Sequence, residues 1–203
     1  MEWLLLAGVF VGAYLFGSIN TSVLACRLAG KGDIRQVGSG NPGATNTLRL
    51  LGKGWAVGVL LVDAGRGAAV CLLALWLIPG PWQPYLAAFG VILGNLFPVF
   101  HGFRGGKGVA TTLGLYLALS PAAAGLGLAV FGLVVLVSRY ASLASLCMVA
   151  AYPGWLALLG APFGAIGLGG VNVLVVAFTH RANIARLLRG REHKFGKKQR
   201  DDR

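Results

Sequence analysis

At 203 residues, 56% of them hydrophobic and 12% charged, the chain has far fewer charges than the roughly 25% of soluble domains. That composition, with a mean hydropathy of +0.73, excludes an ordinary soluble domain and points to an integral membrane protein. The formal net charge of +12 does not imply nucleic acid, because no aromatic-interleaved basic motif accompanies it; beside apolar segments such charge faces anionic membrane lipid.

In chain order, residues 3–26 carry no charge over 24 positions, enough for a first span at about 1.5 Å rise per residue. Gly8 and Gly12 give it a small-xxx-small face suited to close helix packing. Its start lacks the positive charge of a signal peptide, and the apolar run is too long for one. Residues 27–53 form a polar loop with five basic residues and one acid. The second span, 54–78, contains Asp63 and Arg66. Charges at membrane depth are costly unless paired or functional; at i, i+3 these two can neutralise each other, although Arg66 could also reach a pocket at the membrane surface. A proline-rich turn leads to a short third span at 85–100 and a basic loop at 101–107. Residues 108–137 are uncharged, with Ser120-Pro121 near the middle. Proline disfavours helix at the residue before it, so two short spans meeting at a turn are expected, a single kinked helix being the alternative. A basic break at 138–140 precedes spans at 141–159 and 163–179, and from residue 181 a tail carries nine Lys/Arg against three acids.

With the N-terminus outside, every Lys/Arg that is not within a span falls on the cytoplasmic side, as the positive-inside rule requires. The expected fold is therefore all-α, a single polytopic membrane domain over 1–203 of about seven transmembrane helices, some short, with a cytoplasmic C-terminus. Five full spans plus membrane-dipping segments is the alternative. This topology gathers the loops at 27–53, 101–107 and 138–140 and the tail on one face of the membrane.

Those loops hold the unusual chemistry. The first motif, V-G-S-G-N-P-G-A-T-N-T-L-R at 37–49, combines glycines with Ser39, Asn41, Thr45 and Asn46 and ends on Arg49. Glycines such as Gly38 and Gly40 let backbone N–H groups approach an anion, and arginine supplies a bidentate phosphate partner. The same composition also suits a turn-rich interhelical loop. The second, F-R-G-G-K-G-V-A-T-T at 103–112, sets Gly105, Gly106 and Gly108 around Lys107 at the start of an apolar helix, where free N–H groups and the helix dipole favour phosphate. Gly108 stands where a Walker A loop needs Ser or Thr, and a basic membrane anchor is the plainer alternative. The third, H-R-A-N-I-A-R at 180–186, leads to Glu192 and puts His180 and Asn183 on one helix face. Ser142 and Ser145 share a face at another helix start, as ligand donors or as hydroxyls bonded back to their own helix.

Absences narrow the chemistry. The chain has no G-x-S-x-G elbow, no dinucleotide fingerprint, no metal-ligand cluster and no H-x-x-x-x-D pattern. Its three cysteines, Cys26, Cys71 and Cys147, all lie in apolar segments and suggest neither a disulfide framework nor a zinc site. No metal or cofactor is expected.

The three motifs, with G-S-I at 17–19 and R-Y-A-S-L-A-S at 139–145, occur in the order seen in the bacterial acyl-phosphate:glycerol-3-phosphate acyltransferases, and the chain resembles that family from about Tyr14 to Phe195. The resemblance implies a multi-pass enzyme of the bacterial inner membrane, with its active site facing the cytoplasm. It would move a fatty acyl group from acyl phosphate to sn-glycerol 3-phosphate, giving lysophosphatidate and phosphate without acyl-CoA, at the first step of phospholipid synthesis. It also implies a functional link to the enzyme that makes acyl phosphate from acyl carrier protein. Carried over by motif position, the expected catalytic set is Ser39, Arg49, Lys107, His180 and Asn183. Substrate or phosphate binding falls to Gly38, Gly40, Asn41, Thr45, Asn46, Gly105, Gly106, Gly108, Ser142 and Ser145. Glu192, Asp63 and Arg66 are expected to be structural. The chain departs from the family at Asn20, often proline, and at Asn95, often histidine, while Arg66 and Arg104 replace frequent lysines and Ala182 a frequent glutamate.

An acyl phosphate is already activated, so direct attack without an acyl-enzyme is expected, with the proton passing to a substrate phosphate oxygen rather than to His180. The acyl chain would enter sideways from the lipid. The rival reading, a transporter of a phosphorylated metabolite, would need polar groups through the whole bilayer, and the later spans are almost free of charge.

Overall fold

The computed structural model describes residues 2–194, and within them every regular element is a helix, with no strand. Ten α-helices follow one another: α1 (Glu2–Gly17), α2 (Thr21–Leu28), α3 (Ala44–Leu51), α4 (Lys53–Leu77), α5 (Gln83–Leu96), α6 (Val109–Leu119), α7 (Pro121–Ser138), α8 (Ala141–Leu158), α9 (Phe163–Thr179) and α10 (Arg181–Leu188). Five stretches are long and apolar enough to cross a membrane: the α1–α2 run Glu2–Leu28, α4, Gln83–His101, α7 and α8. A sixth arises if α9 and α10, bent by 65° at their junction, count as one span. All seven expected apolar segments are helical, but α6 is only 11 residues, roughly 16 Å against a hydrocarbon core of about 30 Å. The outer surface suits lipid: Trp76, Leu136, Val137 and Phe163 are each at least 80% exposed, an arrangement water would penalise. Residues 195–203 of the expected basic tail lie outside the described residues.

The first apolar run, expected as one helix, is broken at 18–20. Asn20 is the reason it restarts: its side chain accepts from Val23 N at 3.0 Å and so caps α2. The break leaves carbonyls at the end of α1 without helical partners. Arg66 of α4 fills that need, donating to Phe16 O at 3.3 Å and to Ile19 O, while its other nitrogen meets Asp63 at 2.7 Å. Asp63 also accepts from Thr21 Oγ1 at 2.7 Å. The intramembrane charges therefore stitch the broken first span to the second, and Arg66 does not reach the motif loops. Arg66→Met should cost about 3 kcal/mol or more of unfolding free energy in detergent, since it leaves a buried carboxylate with only the Thr21 hydroxyl and takes the side-chain donor from Ile19 O. The double variant with Asp63→Asn should lose less than Arg66→Met alone.

Close packing uses other glycines than the expected pair. Among the described residues nothing lies within 4 Å of a Cβ added to Gly8 or Gly12, so that face packs against no other helix there. Instead α5 lies against α1 through Gly90 and Gly94, where a Cβ would strike Phe10 O and Tyr14 O. In the same way α6 lies against α4 through Gly114 and Gly67, which face Ala64 O and Thr111 O. Ser120 ends α6 and caps α7, accepting from Ala123 N at 3.3 Å with Pro121 next to it, so the expected turn forms and the single kinked helix does not. Helices α6, α8 and α9 share a core in which Tyr116 stacks on Tyr152 at 4.0 Å and Asn172 bonds Thr112 at 3.0 Å.

Candidate active site

All three motifs meet at one end of the bundle. Glu192 is the hub. Gly190, in the left-handed conformation at φ 64°, turns the chain back past α10. Glu192 Oε1 then accepts from Asn183 Nδ2 at 2.8 Å and Ser142 Oγ at 3.2 Å, and Oε2 from Arg186 Nε at 2.8 Å. Asn183 Oδ1 in turn accepts from Lys107 Nζ. A carboxylate only accepts and an ammonium only donates, so this orientation of the Asn183 amide is forced. One chain of contacts thus joins the α6 loop, α8 and α10.

The charges follow from that geometry. Burial pushes the Lys107 ammonium down to about 8; Glu192 opposes the shift, and the positive charges of Arg186 and Arg49 reinforce it. Arg49 is therefore within electrostatic reach of Lys107, and its side chain makes no hydrogen bond among the described residues. Burial would raise the Glu192 carboxyl, but the hydrogen bonds from Asn183 and Arg186 and the Arg186 charge hold it below the usual carboxylate range. His180, at the junction of α9 and α10, is 2% exposed. Its Nδ1 lies 2.9 Å from Val176 O, and a carbonyl can only accept, so Nδ1 carries the hydrogen and Nε2 keeps its lone pair. Burial, then the Lys107 charge, lower this imidazole to about 4, leaving it neutral at pH 7.

The glycine loops act differently from the expectation of amide cradles. Gly105 N and Gly106 N donate to Leu96 O at 3.2 Å and Asn95 O at 3.0 Å, closing off the end of α5. Those two amides are unavailable to an anion, and the N–H groups of this motif without a partner among the described residues are those of Lys107 and Gly108 and of the first turn of α6. Gly106 also abuts the first motif, where a Cβ would lie 2.9 Å from Pro42 O. In that first motif Gly38 and Gly40 both have positive φ, 63° and 69°, and hold Ser39 out at the surface between them. Asn46, expected at the phosphate, instead clamps the loop: it accepts from Ser39 N at 3.1 Å and donates to Ile34 O at 3.2 Å and Val37 O at 2.9 Å. Thr45 and Arg49 are exposed and Asn41 is half-buried. Of the two serines on α8, Ser142 reaches Glu192, while Ser145 bonds back to Ala141 O at 2.8 Å.

A family model described as glycerol-3-phosphate acyltransferase matches residues 7–190. The chain belongs to that family. Glycerol-3-phosphate acyltransferases of Thioalkalivibrio sulfidiphilus and Mesorhizobium japonicum are 44% and 45% identical, each alignment covering 96% of this chain and 96% and 97% of the relative. The solved structure of PlsY, an integral membrane glycerol 3-phosphate acyltransferase, superposes in its glycerol 3-phosphate form with a TM-score of 0.89. It is 39% identical over 94% of this chain and 96% of that one. Its lysophosphatidic acid form gives 0.87 at 38% identity, over 94% and 95% of the two chains.

Two members of this loop assembly escape the sequence reading. Arg186 stands three residues after Asn183, a helical spacing that marks it as a neighbour on the same face. Arg35 binds Asp33 at 2.7 Å and His101 O at 2.8 Å, strapping the first motif loop to the second. Its hydrogen bonds hold the Asp33 carboxyl at about 2. Only the Asp-x-Arg spacing hints at the ion pair, and nothing in the chain announces the contact with His101.

Proposed function

We propose that the protein transfers a fatty acyl group from acyl phosphate to the 1-hydroxyl of sn-glycerol 3-phosphate, releasing lysophosphatidate and phosphate. The reaction would run at the cytoplasmic face of a bacterial inner membrane, functionally linked to the enzyme that makes acyl phosphate from acyl carrier protein. The observation that carries this reading is a site rich in cationic anion-binding groups and poor in bases and nucleophiles. Lys107, Arg49 and the first turn of α6 can offset the charge of two phosphates. The nearest carboxylate, Glu192, already accepts three hydrogen bonds and cannot serve as a free base. A site of this kind suits a donor that arrives activated. The form of PlsY solved with glycerol 3-phosphate, at 39% identity, supports the same acceptor here.

The hydroxyl oxygen attacks the acyl carbon, and the bond from that carbon to the phosphate oxygen breaks, its electron pair leaving with phosphate. The proton goes to a phosphate oxygen. An imidazole at about 4 is a weaker base than a phosphate monoester, whose second pKa is about 6. His180 therefore orients the hydroxyl through its Nε2 lone pair, Asn183 holds Lys107, and catalysis is positioning plus charge stabilisation. Positive-inside placement of the motif loops supports the cytoplasmic orientation.

The test uses purified protein in lipid nanodiscs with labelled glycerol 3-phosphate, offered palmitoyl phosphate or palmitoyl-CoA. Transfer from palmitoyl phosphate alone is expected. Transfer from the CoA ester alone would overturn the donor, and transfer from neither would overturn the enzyme reading.

A further inference from the structure

We propose that Arg35 is a positioning residue for acyl transfer, setting the register between the first motif loop, which carries Arg49, and the second, which carries Lys107. The role rests on the acyl-phosphate reading above and involves contact with neither substrate. Each loop is braced within itself. Asn46, three residues before Arg49, ties together Ile34 O, Val37 O and Ser39 N. The 96–106 turn is closed by Phe103 N on Pro98 O at 3.0 Å and by the Gly105 and Gly106 bonds to Leu96 O and Asn95 O. One polar link joins these two braced bodies: Arg35 Nη1 donates to His101 O at 2.8 Å. Among the described residues it is the only hydrogen bond from residues 27–53 to any other motif-bearing segment. The loops also touch where Gly106 meets Pro42 O, but that is packing without a directional bond.

The geometry of Arg35 suits a strap and not a ligand. Asp33, two residues before it, takes Nε at 3.0 Å and Nη2 at 2.7 Å in a side-on fork. A guanidinium gripped in this way is fixed in direction as well as in charge, and the fork leaves Nη1 to cross to His101 O. All three of its nitrogens are thus engaged within the protein, and its charge is matched by the Asp33 carboxylate. Arg49 is the opposite case, exposed and without a side-chain hydrogen bond among the described residues, so its charge is open to phosphate. The consequence of the strap is kinetic. An ion pair whose side chains are 26% and 29% exposed adds little to folding, whereas a shift of about 1 Å between reacting groups costs about 100-fold in rate. With the strap cut, each phosphate still meets its cations. What is lost is the alignment of the attacking hydroxyl with the acyl carbon, so turnover falls and affinity does not.

The experiment measures kcat and both KM values for Arg35→Gln in lipid nanodiscs, with sn-glycerol 3-phosphate and palmitoyl phosphate as substrates. Turnover is expressed per glycerol 3-phosphate site, counted by titration calorimetry on the same preparation, so misfolded protein cancels. The expected result is a fall in kcat per site of about 30-fold or more, with each KM within about 3-fold of the unmodified enzyme. Asp33→Asn keeps the guanidinium but loosens the fork that aims it, and should lower kcat per site by about 5-fold or more with the same KM pattern. It decides the matter should Arg35→Gln not be recovered. The double variant should be no slower than Arg35→Gln alone, because Asp33 acts through Arg35. An unchanged kcat per site makes the strap merely structural and overturns the proposal. A KM raised about 10-fold or more for either substrate, with kcat held, makes Arg35 a phosphate ligand and also overturns it. Both results leave the acyl-phosphate reading intact. No transfer from palmitoyl phosphate by the unmodified enzyme overturns that reading and the proposal with it.

Discussion

Lys107→Met is expected to lower kcat/KM by about 1,000-fold or more, the largest single effect in the site. The substitution removes the one ammonium held among three motifs and leaves the Asn183 carbonyl without its donor. Methionine keeps the length and apolar stem, so loss of folding is a poor explanation for loss of activity. The unmodified enzyme should report the same group through pH. Lys107 is charged below about 8 and neutral above it, so kcat/KM should fall as pH rises through about 8. Stability moves the opposite way. The folded value lies below the ordinary 10.5, so between about 8 and 10.5 the unfolded chain binds more protons and stability rises with pH. An alkaline limb of activity that merely tracked unfolding would contradict this assignment. Glu192→Gln removes the negative charge that supports the ammonium and should shift the limb to lower pH.

Glu192→Ala should be the most destabilising single change at this end of the bundle, costing about 3–5 kcal/mol in a detergent unfolding experiment. It strips the acceptor from Asn183, Arg186 and Ser142 together, and the side chain of Glu192 is only 6% exposed. Activity should fall about 100-fold alongside, because Asn183 and Lys107 lose their common reference. The effect is also pH-dependent with a defined sign. The folded-state pKa of Glu192 lies below the ordinary carboxylate value, so its contribution is complete above that value and disappears as pH falls through the folded one. An Ala variant whose stability deficit persisted unchanged in strong acid would contradict the hub role.

Sequence alone reached the class of protein and most of its elements. Long apolar runs favour helix in lipid, because no water is there to satisfy the backbone, so residues 54–78, with their i, i+3 charge pair, and the uncharged 121–137 and 141–159 could hardly be read otherwise. Ser120-Pro121 was equally legible, since a helix cap and a residue without an N–H act locally. The motif residues were identifiable because lysine, arginine, histidine and asparagine beside glycine are rare at the edge of apolar segments. Local periodicity also placed Asn183 beside His180.

What tertiary structure alone decided is how each of those side chains is used. Whether an asparagine binds a ligand, clamps its own loop or caps a helix depends on which carbonyls and amides lie within about 3 Å, and chain neighbours do not determine that. Asn46 clamps, Asn20 caps and Asn183 bridges Lys107 to Glu192, although all three are the same residue in polar surroundings. The same holds for glycine: Gly8 and Gly12 have the spacing of a packing face and touch no other helix among the described residues, while Gly67 and Gly114, 47 residues apart in sequence, each press against the backbone of the other's helix. Hydrophobic pattern follows from the chain because it is a property of successive residues. Hydrogen-bond partnership and burial belong to pairs brought together by the fold, and those set the charge of Lys107 and the neutrality of His180.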